Sequence, residues 1–162
     1  MLDKMPANYQ IIQFGLDGSR VSQQDLEYFN GKIKERNASS QLKWMREAKK
    51  EGVLESWIQI VDSIVNDTAK KHLVHLSINL ESIQGIQGVS SNCLSGGIAT
   101  EDAIQMVFEA GYRLGKVDRL TSIDISDYNP FVEDWQTGRF AATLFYYLVL
   151  GLSQGIIEKG KQ

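Results

Sequence analysis

Apolar and polar positions follow two periods along this chain, and the switches between them mark out strands and helices. Tyr9 to Leu16 (YQIIQFGL) is a β-branched and aromatic run closed by Gly15, Asp17 and Gly18, which predicts a strand and a turn. Ser22 sits three residues before Asp25 and marks a helix start. Leu26, Phe29 and Ile33 then carry that helix to about Arg36. Leu42 to Met45 reads as a short strand. Beyond Gly52, Val53, Trp57, Ile60, Val61 and Ile64 recur at the spacing of an amphipathic helix. His72 to Asn79 (HLVHLSIN) reads as a strand apolar on both faces, and therefore central. The glycine- and serine-rich stretch from Ser82 to Gly97 predicts a long, mobile loop with little to bury. Thr100 is the expected cap of the next helix, with Glu101 and Asp102 against its N-terminal dipole. Ile104, Val107, Phe108 and Gly111 mark its buried face. Arg119 to Ile125 is a further strand, ending in the turn Ser126-Asp127-Tyr128-Asn129-Pro130. Asp134 to Leu152 reads as a helix apolar nearly all round, so cover on most sides is expected.

Alternation of strand and helix predicts a single α/β domain with a mostly parallel sheet and helices on its faces. In such sheets ligands bind outside the carboxyl ends of the strands. The turns after Ile78 and Ile125 are therefore where chemistry is expected. Charge adds little: 17 basic and 20 acidic side chains leave a net charge of -3, which gives no reason to expect nucleic acid or an anionic membrane as partner. The single cysteine, Cys93, excludes an intrachain disulfide and a thiolate metal cluster. The start, MLDKMPANYQ, lacks an apolar segment, and the run from Phe140 to Leu152 is too short to span a bilayer. A cytoplasmic location is the expectation.

The two turns carry a resemblance. His75-Leu76-Ser77-Ile78-Asn79-Leu80-Glu81 resembles the Ser-x-Asp-x-Asp motif that ends a central strand in the ureohydrolases, the arginase, agmatinase and formimidoylglutamase family. Gly88-Val89-Ser90-Ser91 is similar to the Gly-Val-Ser-Ala of formimidoylglutamases, and Gly96-Gly97-Ile98-Ala99-Thr100-Glu101-Asp102 to the segment opening the following helix. Asp124-Ile125-Ser126-Asp127-Tyr128-Asn129-Pro130 looks like Asp-Ile-x-Glu-x-Asn-Pro, and Thr137-Gly138-Arg139-Phe140-Ala141-Ala142 echoes the last helix. The matches run in order over residues 9 to 152. The resemblance implies a three-layer α-β-α fold of arginase type, of which this chain would be the C-terminal half. It also implies a binuclear manganese cofactor and hydrolysis of a guanidino or formimino C–N bond by a metal-bound hydroxide.

The departures from that pattern bear on the chemistry. No Asp-x-His-x-Asp occurs in the sequence, and the only histidines are His72 and His75, whose spacing puts them on opposite faces of a strand. Asn79 stands at the first ligand aspartate and Glu81 at the second. Asn79 offers a neutral carbonyl, and Glu81 reaches one methylene further than aspartate. The resemblance places Asp127, Ser90 and Asn92 on the substrate side. Two explanations stay open: a family member that has abandoned metal catalysis, used as a scaffold, regulatory or binding subunit, or a half-enzyme completed by a separate N-terminal half. An N-terminal half, a homologous subunit or a second copy are the partners expected. The family's central strand, which carries Asp-x-His-x-Asp, would lie between Tyr9–Leu16 and His72–Asn79. Without it, direct pairing of those two strands is the expectation.

Overall fold

A computed structural model describes residues 9–67, 73–89, 97–132 and 135–161. The chain runs β1 (Gln10–Leu16), α1 (Gln23–Glu35), β2 (Ser39–Trp44), α2 (Met45–Glu51), α3 (Val53–Asn66), β3 (Val74–Asn79), a 3-10 turn (Leu80–Ser82), α4 (Thr100–Val117), β4 (Leu120–Ser126) and α5 (Gln136–Lys159). Both strand pairings are parallel, β1 with β2 and β3 with β4, so the α/β class with parallel strands holds.

Local chemistry explains most element boundaries. Ser22 and Asp25 form a reciprocal capping box at α1, and the two Ser22 hydrogen bonds hold the Asp25 carboxyl below its usual pKa. Met45 begins α2 rather than ending a strand, because β2 lies earlier, over Ser39–Trp44. Thr100 is already inside α4; Ala99 occupies the cap and makes no side-chain cap bond, while the Thr100 hydroxyl turns to Glu101 at 3.1 Å. Arg119 is buried and closes the C-terminus of α3, donating to the carbonyls of Ile64 at 2.6 Å and Asp67 at 3.0 Å. A cation there complements the carbonyl end of the helix.

The core is one continuous packing of both strand pairs against the helices. Met45, Leu80, Ile83, Ile86, Val89, Ile98, Met106, Val107, Leu144 and Leu148 are its buried centre, with Phe14, Leu76, Ile78, Ile123 and Ile125 against it. Trp57 meets the Phe14 ring edge-on at 5.4 Å and donates its indole N–H to the Met106 carbonyl at 2.8 Å, joining β1, α3 and α4. Three of these residues correct an expectation. Ile83, Ile86 and Val89 belong to the stretch read as a loop with little to bury, yet they are core side chains. They recur every third residue, which matches neither the two-residue period of a strand nor the 3.6-residue period of a helix, so those two patterns could not find them.

β3 also differs from its sequence reading. Leu76 and Ile78 face inward, whereas His75, Ser77 and Asn79 alternate with them on an exposed face, so the strand is apolar on one side only. The expected direct pairing with Tyr9–Leu16 does not form: among the described residues β1 pairs only with β2 and β3 only with β4. Each strand pairs on one edge with the partner that follows it after a helical crossover, and at the carboxyl ends Ile98 lies between Gly15 of β1 and the residues that leave β3.

α4 and α5 pack backbone to backbone. A Cβ on Gly111 would fall 2.3 Å from the Leu148 carbonyl oxygen, and one on Gly151 would fall 2.2 Å from that of Phe108. Gly115 and Gly155 repeat the arrangement one turn on. Only glycine permits such an approach. The opposite side of α5 is not covered as expected: Phe145, Tyr146, Val149, Ile156 and Ile157 are exposed. The helix has 24 residues and is long and apolar enough to cross a membrane by length and composition alone, a test that core helices also pass. Its length exceeds the Phe140–Leu152 run because Ser153, Gln154 and Gly155 continue the same turns.

Gly151→Ala should therefore destabilise the fold by about 1–3 kcal/mol despite the better helix propensity of alanine, as read from urea unfolding. The lower ends of α4 and α5 are tied by ions. Lys116 lies 2.8 Å from Glu158, and the Tyr112 hydroxyl also donates to Glu158. Lys116 and Tyr112 hold the Glu158 carboxyl below its usual range, and Glu158 holds the Lys116 ammonium above its own. A depressed carboxyl pKa stabilises the fold above its unfolded-state value, and that contribution is lost as pH falls through the folded value. The melting temperature of the wild type should thus fall more steeply on acidification than that of Glu158→Gln, a difference that salt should shrink.

Candidate functional site

The carboxyl ends of β3 and β4 lie side by side because their register pairs Ser77 with Asp124, Ile78 with Ile125 and Asn79 with Ser126. Leu80, fully buried, pins the chain as it leaves β3. The 3-10 turn that follows is built by Asn79. Its side-chain oxygen accepts the Glu81 backbone N–H at 2.7 Å, and the Ser82 hydroxyl donates to its backbone carbonyl at 2.6 Å. Glu81 is half-buried at the start of that turn. Across the strand end, Asp127 is exposed with a left-handed backbone, φ 67°.

The chain beyond each strand is then clamped. Ile98 donates to the Ser82 carbonyl at 2.9 Å and accepts from Gln84 at 2.8 Å, drawing the entry to α4 against the exit of β3. Asn129 donates from its backbone to the Gly88 carbonyl at 2.7 Å, while Gly88 donates to the buried Thr137 hydroxyl at 3.0 Å. Thr137 thereby ties the start of α5 to the loop after β3.

Of the residues singled out from the sequence, the structure brings Asn79, Glu81 and Asp127 to one end of the β3–β4 pair. Ser90 and Asn92, together with His72 and Cys93, lie outside the described residues. A pocket of about 200 Å³ opens nearby, lined by Gly85, Ile86, Gln87, Gln136, Thr137 and Phe140, but none of the three candidates lines it. It is small for a ligand cleft, which typically holds roughly 300–1,000 Å³.

A binuclear manganese centre does not fit these residues. Two divalent cations need several carboxylates around them. Asn79 supplies no charge, and its oxygen already serves the Glu81 amide. Glu81 is the one carboxylate on that turn. Among the described residues no group of three or more His, Cys, Asp and Glu side chains is placed to hold a metal ion.

A polar network that sequence reading missed occupies the exposed face of the same strands. His75 bonds through Nδ1 to the Ser122 hydroxyl at 2.8 Å and through Nε2 to Asp124 at 2.7 Å, and Ser77 donates to the other Asp124 oxygen at 2.8 Å. The alternate-residue spacing of His75 with Ser77 and of Ser122 with Asp124 was visible, but the register that joins them was not. Because His75 and Asp124 remain roughly 45% exposed, the network is open to water rather than set in a catalytic pocket.

No protein-family model and no curated protein sequence matches this chain. Solved structures do. A formiminoglutamase from Trypanosoma cruzi is 23% identical, with a TM-score of 0.67 over 88% of this chain and 44% of its own. The same enzyme solved with Mn2+ at pH 8.5 is 24% identical, with a TM-score of 0.65 over 86% and 43%. The arginase from Bacillus caldovelox is 18% identical, with a TM-score of 0.63 over 85% and 42%. The chain thus spans less than half the length of the proteins it resembles. What it shares with them is their arginase-type α/β fold, over a portion consistent with its C-terminal half.

Proposed function

We propose that this chain is an arginase-superfamily module that does not itself perform metal-dependent hydrolysis and acts as a scaffold, regulatory or binding subunit. One observation carries this reading: the residue at the first aspartate of the ligand motif is Asn79, and its side-chain oxygen caps the turn after β3 instead of pointing free toward a metal. An asparagine there removes a unit of negative charge and supplies a local hydrogen bond that holds the strand end in shape. The position has a structural role that suffices to explain it.

A second reading is that the chain forms one part of a manganese-dependent hydrolase of guanidino or formimino groups. Its support is the coverage of only 44% of the T. cruzi formiminoglutamase, which leaves room for further ligands elsewhere. Additional residues would not restore the charge at Asn79, and for that reason the first reading is preferred. Asp127, exposed at the end of β4, and Ser90 and Asn92 are in either case the residues proposed to face a small cationic ligand.

Two measurements separate the roles of Asn79. As a cap, Asn79→Ala should cost about 1 kcal/mol in chemical unfolding, whereas Asn79→Asp, which keeps the acceptor, should be close to neutral. Equilibrium dialysis against manganese followed by elemental analysis should find well under two equivalents per chain. Binuclear occupancy together with arginine, agmatine or formimidoylglutamate hydrolysis that Glu81→Ala abolishes would replace the first reading with the second.

A further inference from the structure

α5 carries two lines of side chains on opposite sides. One, made of Leu144, Leu148, Gly151 and Gly155, is buried in the core and against α4. The other runs through Arg139, Ala142, Tyr146, Val149, Ser153 and Ile156, and every member of it is exposed. Its steps are three, four, three, four and three residues, the alternation that keeps one line of a helix facing a second helix. Tyr146 is 60% exposed and Ile156 50%, with Phe145 and Ile157 beside them at 51% and 58%. Buried aromatic side chains contribute roughly 150–250 Å² each, so this face amounts to an apolar area on the order of several hundred Å². Monomeric proteins rarely leave so large a patch bare. A helix of this length extends roughly 36 Å, and pairing along all of it approaches the roughly 800 Å² that each partner gives to a stable interface.

The exposed line is complementary to itself when reversed. Laid over its full length against a reversed copy, it sets Tyr146 against Val149, Ala142 against Ser153 and Arg139 against Ile156. Trp135, one step before the line, then meets Gly160, where a Cβ would touch only the helix's own carbonyls at 3.6 and 3.7 Å. Wide rings thus face a short side chain or none, and the two small residues let the helices approach between them. Tyr147 meets the Tyr146 ring edge-on at 5.4 Å, which holds it in place before any partner arrives. Charge at the ends agrees with reversal. Arg139, 5.5 Å from the Trp135 ring, stands in the first turn of α5, and a reversed partner brings it to the carbonyl end of the other helix, where a cation is favoured. At that end Lys159 is drawn to Asp118 at 3.8 Å and Glu158 to Lys116 at 2.8 Å. A parallel partner would instead stack Arg139 on its own copy.

We propose that the exposed face of α5 is a homodimer interface, in which α5 packs antiparallel on its counterpart in a second copy of this chain. The two-fold axis passes level with Tyr147 and Leu148, so the same patch serves both copies. The product is a layer of four helices, α4 and α5 from each copy. No group at the β3–β4 end takes part, so the interface and the reading of Asn79 can fail separately.

Sedimentation velocity of the full chain should show a dimer at micromolar concentration. Tyr146→Glu should raise its dissociation constant on the order of a hundredfold, because a charge is then buried at the centre of the interface without a partner. Tyr146 is exposed in the single chain, so at dilutions where both proteins are monomers the variant should keep the wild-type urea midpoint. Direction is read by cross-linking in a Cys93→Ser background. Chains with Ala142→Cys mixed with chains with Ser153→Cys should form a linked pair on oxidation, and neither should do so alone, since two copies of position 142 lie roughly 16 Å apart along the axis in this register. A monomer at every concentration, a dimer indifferent to Tyr146→Glu, or a disulfide formed by Ala142→Cys alone would overturn the proposal. So would a monomer that binds phosphatidylcholine vesicles through this face, or one in which hydrogen exchange around Tyr146 slows only when the unmatched portion of the T. cruzi formiminoglutamase is added. The face would then belong to a membrane or to another part of the fold.

Discussion

Four glycines set the distance between α4 and α5, and much of the molecule hangs from that contact. Gly111 and Gly115 on one helix and Gly151 and Gly155 on the other let each backbone touch carbonyls of its neighbour, which no side chain larger than hydrogen would allow. α4 in turn is the floor beneath β3 and β4 and the partner of α3 through Val61, Ala110 and Leu114. α5 reaches back through Thr137 to hold Gly88 and through Leu144 and Leu148 to close the core. Glycine costs roughly 1 kcal/mol of helix propensity relative to alanine at each such position, a loss offset by the packing it permits.

The end of the β3–β4 pair is shaped by buried apolar anchors and one amide. Leu80, Ile83 and Ile98 still anchor the segments that leave β3 and enter α4, all of them apolar and buried. The Asn79 amide still shapes the turn, since a carboxylate and an amide accept a backbone N–H equally well. An amide here adds no charge that could offset a cation, and its oxygen is already satisfied by the Glu81 N–H. Strand-end geometry and metal affinity therefore draw on different properties of the same residue.

Among the described residues β1 and β3 are each paired on one edge only. Apolar floor residues hold β1 and β3 in place from below, while their outer backbone groups and the His75–Asp124 face look outward. Among the described residues the two strand pairs share no ladder, and Trp57, reaching both β1 and α4, stands at the junction between them.

The sequence by itself determined the alternation of elements, because α1, α3, α4 and β3 each bury one regular stripe and turn residues separate them. It also determined the identity of Asn79 and Glu81, and so the charge available at the strand end. Helix starts without a cap bond, such as Ala99, were not legible, and neither was the strand start at Ser39, whose first residues are polar and exposed. Only the tertiary structure decided that Ile83, Ile86 and Val89 are core, that α5 keeps one bare apolar face, and that β1 and β3 take separate partners. Those outcomes depend on contacts between residues far apart in the chain, and local periodicity carries no information about which distant surfaces meet.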